Sequence, residues 1–433
     1  MSEANIQRFS SGVAITMGAR LLMTGNSVVA GVLVARLLGA ETLGIYLVLA
    51  SAIQMLLQVS GFALHLTNTH FTAREPEKMI PMSVNSVVFA LLSGGGCSAI
   101  VWLLSPMIMP GVPSELALIG LAVVPFQLIT TYLLNLLLAH GEVKTFNLLD
   151  VIGQSFVLVN AAAALLIFGG GLVVLVSLNS IAGVLMSAVS GFIFYKYVSR
   201  RFSKSRWRGD LSLISPMLTY SLKGFIFWAS TFLVYRIDLM IVNYFNGSTE
   251  AAVYAVATQC SLFLLLLPNG ISLLLRARVS ATQDAGGEFT SQVARHTSLL
   301  LAIGCILSVP GGFVVSAVYG SGFEGLPIQL FILLPGVFCV GVQLILAQYF
   351  VGTGMPLFLS LVWLVTLSSN VLINLVVVPL YGAIGAAGVS SICYFAVSCA
   401  VYWYFRRQTG LSILAVLVPA KEEIKRLPQL FRS

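Results

Sequence analysis

The sequence predicts an all-α polytopic membrane protein of about twelve transmembrane helices. Three observations carry that prediction. Hydrophobic residues make up 58% of the chain and charged residues 9%, whereas a soluble domain carries about 25% charged residues. Apolar stretches recur about twelve times, each near the roughly 20 residues needed to cross a hydrocarbon core of about 30 Å. Threaded in and out, the chain places 19 of its 23 Lys and Arg residues on one side. Lys and Arg are retained on the cytoplasmic side during insertion, so both termini are expected there and the number of spans is even.

The expected spans are 12–37, 43–67, 81–104, 115–138, 147–169, 172–197, 215–243, 251–274, 297–319, 326–350, 357–378 and 383–405. Arg8 precedes the first, in a short leader without a small-residue cleavage site, which reads as a retained helix and not a signal peptide. Arg74 and Lys78 lie between the second and third spans, and Lys144 between the fourth and fifth. Lys196, Arg200, Arg201, Lys204, Arg206 and Arg208 lie between the sixth and seventh, and Arg276, Arg278 and Arg295 between the eighth and ninth. Arg406, Arg407, Lys421, Lys425, Arg426 and Arg432 close the chain. The opposite loops hold Arg36 with Glu41, Glu115, Glu250 and Glu324, and none is long enough for a folded domain. After the last span, Leu411 to Pro419 is apolar but too short to cross, and reads as an interfacial segment.

The net charge of +8 follows from this asymmetry and suits anionic lipid head groups. It calls for no nucleic-acid partner. Cys97, Cys260, Cys305, Cys339, Cys393 and Cys399 all fall within spans and match no metal or disulfide pattern. They read as small packing residues. His65, His70, His140 and His296 are scattered near cytoplasmic helix ends.

A weak internal repeat divides the chain. Gly39-Ala-Glu-Thr-Leu-Gly-Ile-Tyr46-Leu-Val48 lines up with Gly247-Ser-Thr-Glu-Ala-Ala-Val-Tyr254-Ala-Val256 at an offset of 208 residues. Each segment joins the first two helices of a six-helix half. Six is even, so both halves enter from the same side as parallel repeats. The expected organisation is an N-terminal bundle over 1–200, a basic linker at 201–214, a C-terminal bundle over 215–405 and a cytoplasmic tail at 406–433. Pro125, Pro268 with Asn269 and Gly270, Pro310, and Pro335 with Gly336 fall inside spans, where breaks serve as hinges or are absorbed by neighbouring helices. Gly183, Ser187 and Gly191 form a small-residue stripe suited to close helix packing.

The charges inside spans are the candidate functional residues, because a charge in the hydrocarbon costs about 3 kcal/mol on insertion scales. Arg20 and Lys223 each lie about eight residues into the first helix of their half, about 12 Å from the cytoplasmic entrance. Facing a hydrated cavity they form an anion site; the alternative is that both snorkel to the interface. Arg236 and Asp238 lie toward the outer end of the seventh span and point to different faces. On a continuous helix Lys223 and Asp238 share a face. Asp238 either pairs with Arg36 as an outer gate or takes up a coupling cation, H⁺ or Na⁺. Asp150, near the start of the fifth span, reads as an interfacial carboxylate. No nucleotide loop, metal-ligand set or nucleophile with its base can be assembled, so neither a catalytic site nor a metal cofactor is expected.

Three segments carry a family resemblance. They are Ala35-Arg36-Leu37-Leu38-Gly39 through Gly44-Ile45-Tyr46; Tyr235-Arg236-Ile237-Asp238 with Gly247 and Val253-Tyr254-Ala255-Val256-Ala257; and Asn370 through Asn374, Pro379, Gly382 and Gly385 to Gly388. Together they resemble the polysaccharide transporter (Wzx-type oligosaccharide flippase) family of the MOP superfamily, which also contains MATE multidrug exporters and MurJ-type lipid II flippases. The resemblance implies two six-helix bundles around a central cavity that opens alternately to each side. It implies an undecaprenyl-pyrophosphate-linked oligosaccharide as substrate, moved across a bacterial cytoplasmic (inner) membrane for O-antigen, capsule or exopolysaccharide. Polymerase and chain-length proteins of that pathway would be partners, besides membrane lipids. Arg20, Lys223 and Arg236 would then bind substrate, and Arg36, Asp238 and Asp150 would gate or couple. The two further C-terminal helices of lipid II flippases are absent, which argues against lipid II. A MATE-like cation-coupled multidrug antiporter is the alternative, but it would call for carboxylates in its cavity, and cations outnumber acids here. A membrane-embedded glycosyltransferase or polymerase would need larger outer loops.

Overall fold

The computed structural model describes residues 3–201, 207–272, 275, 284, 286–353 and 357–417, with side chains at all of these except 3–17, 223, 351–353 and 414–415. Among the described residues every regular element is a helix. Nine helices are long and apolar enough to cross a membrane, or ten when Ser248–Phe263 and Leu266–Ser272, bent by 41°, count as one span. Two of these are double crossings. The 59-residue helix Glu3–Gly61 turns at Gly39 (φ 88°, ψ 169°), and the 53-residue helix Leu357–Thr409 turns at Gly382 (φ 58°, ψ −148°). At 1.5 Å per residue either would be more than twice the hydrocarbon thickness. Splitting them brings the described spans to the expected twelve. They are named α1 (3–38), α2 (40–74), α3 (Pro76–Leu103), α4 (Ser114–Ala139), α5 (Val143–Ile167), α6 (Gly171–Arg201), α7 (211–246), α8 (248–272), α9 (Glu288–Tyr319), α10 (Leu326–Thr353), α11 (357–381) and α12 (383–409).

Gly39 and Gly247, the repeat-related pair, share one backbone conformation: φ 88° and ψ 169° against φ 84° and ψ 174°. A left-handed φ with extended ψ is essentially open only to glycine. The repeat is therefore present in the backbone as well as in the residue pattern. Both glycines end an odd-numbered helix and reverse the chain without a loop.

By proximity the chain divides into two units. One holds residues 14–253 with 319–322; the other holds 1–13, 254–318 and 323–433. α7 falls in the first unit. Within that unit, α7 lies along the lower part of α2: Thr67 Oγ1 and Ser221 Oγ are 2.6 Å apart, and the Phe62 and Phe225 rings stack at 4.6 Å. Linker residue Asp210 accepts a hydrogen bond at its backbone carbonyl from Asn85 Nδ2 at 2.7 Å.

The breaks in the helices have separate causes. A proline ring collides with the carbonyl four residues earlier. Pro125 accordingly follows a break after Leu121, and the bend in α8 falls at 264–265, four and three residues before Pro268. Pro310 and Pro335 sit in unbroken helices. In α2 the break is made by Phe62 and Ala63 in the left-handed region (φ 48° and 50°). Such residues cost about 1–2 kcal/mol each, and the carbonyls they release are taken up by neighbours. Tyr132 donates its hydroxyl to the Gly61 carbonyl at 2.9 Å, and Ser93 Oγ to the Ser60 carbonyl at 2.8 Å. The small-residue stripe of α6 does pack closely: a Cβ on Gly183 would lie 2.4 Å from Val123 Cγ2.

Candidate functional site

Arg20 and Asp150 come together. Arg20 is exposed on α1, and its positive charge acts on the Asp150 carboxylate of α5. Asp150 is the eighth residue of the helix that starts at Val143. A second contact holds the same two helices in register, with Asn26 Nδ2 donating to Ser155 Oγ at 3.1 Å. Asn26 and Ser155 are six and five residues beyond Arg20 and Asp150, about 8–9 Å further along parallel helices.

Beyond that rung the polar line continues. Asn160 Nδ2 donates to Asn179 Oδ1 at 2.9 Å, and Asn179 Nδ2 donates to the Tyr46 hydroxyl at 3.3 Å. Together these side chains form a set of polar contacts among α1, α2, α5 and α6 of the first unit, called here the polar track. A cation and a carboxylate stand at one end, and amides, a hydroxyl and a phenol follow. Neutral donors and acceptors of this kind can hydrogen-bond a polyhydroxy ligand, and a guanidinium can bind phosphate oxygens in bidentate fashion. The sequence reading weighed only charged side chains inside spans. The clustering of Asn26, Ser155, Asn160 and Asn179 in otherwise apolar helices was the signal that it passed over.

The candidates on α7 are arranged differently. The Lys223 side chain lies outside the described residues. The helix itself is interrupted, with Tyr235 and Arg236 forming tight turns onto Phe232 and Leu233 and a new helix running Ile237–Asn246. The interruption falls between Lys223 and Asp238, which therefore stand on separate helical segments. Arg236 occupies the cap of the second segment at φ −136°. Asp238 is fully buried, and its Oδ1 accepts the Leu239 N–H at 2.8 Å, a favourable place for a carboxylate at a helix N-terminus. Arg36 is exposed near the end of α1, with its guanidinium against the turn after α9: a Cβ on Gly320 would lie 3.1 Å from Nη1. Among the described residues no group of three or more His, Cys, Asp or Glu side chains is placed to hold a metal ion.

The family model described as polysaccharide biosynthesis protein matches residues 9–277, well over half of the chain and the whole of the polar track. The chain belongs to that family. A curated relative, the probable flippase AglR of Haloferax volcanii, is 24% identical over 161 residues, which cover 35% of this chain and 33% of the relative. The match thus spans a third of that relative's length. Among solved structures, the chain resembles an inward-facing multidrug resistance MATE transporter of the MOP superfamily at 14% identity, with a TM-score of 0.73 over 92% of this chain and 98% of the other. It resembles the lipid II flippase MurJ in an inward closed conformation at 13% identity, with a TM-score of 0.73 over 91% of this chain and 87% of that one. At these identities the likeness establishes the polysaccharide biosynthesis family member's fold as that of the MATE and MurJ transporters.

Proposed function

We propose that this chain is a flippase, not an enzyme, that moves an undecaprenyl-pyrophosphate-linked oligosaccharide from the inner to the outer leaflet by alternating access. It would serve surface polysaccharide assembly in a bacterial inner membrane, with both termini cytoplasmic. The observation that carries this reading is Arg20: an exposed guanidinium inside an apolar span, at the foot of a track of uncharged hydrogen-bonding side chains. Arg20 would take the pyrophosphate as it enters from the side of the basic loops. Asn26, Ser155, Asn160, Asn179 and Tyr46 would exchange their mutual hydrogen bonds for sugar hydroxyls. Asp150 keeps Arg20 partly neutralised when no anion is bound, which lowers the cost of a lone charge at that depth.

The family model supports the polysaccharide assignment over a drug antiporter, whose fold is shared. H⁺ or Na⁺ as a coupling ion would act through Asp150 or through Asp238, with Arg36 and Arg236 at the other end of the reach of α7. Lys223 would add a second phosphate contact. The polymerase and chain-length proteins of the pathway would take the product on the far side.

Surface-glycan export in cells tests the assignment. Replacing Arg20 by Ala should lower export at least tenfold at unchanged membrane abundance, and Arg20→Lys should restore part of it, since Lys supplies charge without the bidentate fork. Wild-type export from the Ala variant would remove Arg20 from the mechanism. Proton-driven extrusion of a cationic dye, with no effect on glycan, would favour the antiporter.

A further inference from the structure

One side of α6 changes character along its length. Ile181, Leu185, Val189 and Phe192 are exposed on it, and at about 100° per residue they share that side with Tyr195, Lys196 and Arg200. From Ile181 to Phe192 the helix rises about 17 Å, close to one leaflet of a hydrocarbon core of roughly 30 Å. At the deep end a groove of ≈ 290 Å³ opens between α6 and α4, with Val123, Phe126, Ile181 and Leu185 in its walls. It lies where α4 breaks ahead of Pro125. Ser180, also at the groove, turns its hydroxyl onto the Ile119 carbonyl at 2.9 Å, so the walls are apolar.

At the other end the α6–α7 linker folds back over the helix. The Trp207 ring lies 5.4 Å from that of Tyr195 and 6.3 Å from that of Phe194, and both Trp207 and Tyr195 remain exposed. Arg208 is one Cα step of about 3.8 Å from Trp207, and Lys196 one step from Tyr195. Directly after Arg208 the linker is tied to α3: a Cβ on Gly209 would lie 2.6 Å from Asn85 Oδ1, and Asn85 Nδ2 donates to the Asp210 carbonyl. The Asp210 carboxylate is engaged forward in the chain, its Oδ1 accepting the Ser212 N–H at 2.9 Å and the Ser212 hydroxyl at 2.6 Å. Lys196, Arg200 and Arg208 are all exposed. At the 208-residue offset of the repeat, Tyr195 corresponds to Trp403, and there Arg407 of the same helix lies over the ring at 5.7 Å. α6 differs in that its aromatic is covered by a second aromatic, with a cation next to each ring in the chain.

We propose that this side of α6 binds one anionic phospholipid of the leaflet that faces the basic loops. Lys196, Arg200 and Arg208 hold the phosphate, since basic side chains at a membrane surface attract anionic lipid. Tyr195 and Trp207 meet the glycerol region, the level at which amphipathic rings settle. One acyl chain runs past Phe192 and Val189 into the groove beside α4. None of these residues belongs to the polar track, and the inference does not depend on what the protein transports.

Native mass spectrometry tests it, with full-length protein titrated in detergent against equal amounts of dioleoyl phosphatidylglycerol and dioleoyl phosphatidylcholine. The first lipid bound should be phosphatidylglycerol. Lys196→Gln, Arg200→Gln and Arg208→Gln together should weaken its binding about tenfold or more at an unchanged melting temperature. Arg406→Gln with Arg407→Gln, which removes exposed cations from α12, should leave that binding within about twofold of wild type. Ile181→Trp fills the groove from an exposed position. It should weaken dioleoyl phosphatidylglycerol several-fold and leave the short-chain dihexanoyl lipid unaffected. Equal binding of the two headgroups by the wild type, or equal losses in the two charge variants, would reduce the effect to diffuse attraction and overturn the site. Full affinity for the dioleoyl lipid in Ile181→Trp would overturn the seat for the chain, and with it the proposal.

Discussion

The two ends of the first unit are closed by different means. At the glycine-turn end, chain reversals take one residue and backbone meets backbone, as at Gly44 and Ser248. At the basic-loop end, α2 meets α7 through side chains: the Phe62–Phe225 stack, the Thr67–Ser221 hydrogen bond and the His70–Tyr220 stack at 4.4 Å. Side-chain contacts can be loosened by degrees through rotamer change, whereas backbone contacts of this closeness cannot. The difference predicts a tighter end at Gly44 and Ser248 and an adjustable seam between α2 and α7. Substitutions at the first end should act on conformational populations, and those at the second mainly on stability.

The largest stability effect is expected where the seam depends on the break in α2. Tyr132→Phe removes the donor to the Gly61 carbonyl and leaves a buried acceptor unsatisfied, at a cost of about 1–3 kcal/mol. Thermal unfolding in detergent should show the loss without any change in labelling of Ser248→Cys by an impermeant thiol reagent from outside, in protein lacking the native cysteines; a rise in labelling would mean that the two ends are not separate. Asn243→Ala should act differently, raising that labelling several-fold with a smaller loss of thermal stability than Tyr132→Phe. Thr67→Val removes one hydroxyl from the seam and should destabilise by about 0.5–1.5 kcal/mol. Ser221→Ala added to it should cost little more, because the two hydroxyls satisfy each other; additive losses would show that they act apart.

The smallest effect is one of pH. His70 is held below the usual histidine range by burial, and further by the positive charge of Arg74. A lowered value means that the unfolded chain binds the proton more readily than the folded one. Its contribution is therefore present above about pH 6.5 and declines as the pH falls through that value. A small loss of thermal stability between pH 7 and pH 5 should shrink in His70→Asn, and an identical loss in that variant would assign the effect to other groups.

Much of the fold was legible because membrane insertion writes it in coarse letters. Apolar length and the placement of Lys and Arg predict twelve spans, and the repeat-related Gly39 and Gly247 share one backbone conformation. Pro125 and Pro268 mark breaks, but Pro310 and Pro335 sit in unbroken helices. The break at Phe62–Ala63 was not legible: it depends on Tyr132 and Ser93, residues of other helices that satisfy it. The interruption at Tyr235–Arg236 contains neither proline nor glycine, so nothing in the residue pattern marked the end of the helix that bears Lys223. Arg20 was legible as a costly charge. Asp150 was legible as a carboxylate near a helix start, and the amides of the track were passed over because they carry no charge.

The central claim, that Arg20 and the polar track carry a pyrophosphate-linked glycan across the membrane, is tested most directly by reconstitution. Purified full-length protein in proteoliposomes would be given a fluorescent undecaprenyl-pyrophosphate-linked disaccharide, and its movement between leaflets read by quenching from outside. The account predicts protein-dependent translocation that falls at least tenfold in Arg20→Ala and in Asn160→Ala, the first variant losing sensitivity to competing undecaprenyl pyrophosphate and the second keeping it. Equal translocation by wild type and by Arg20→Ala would contradict it.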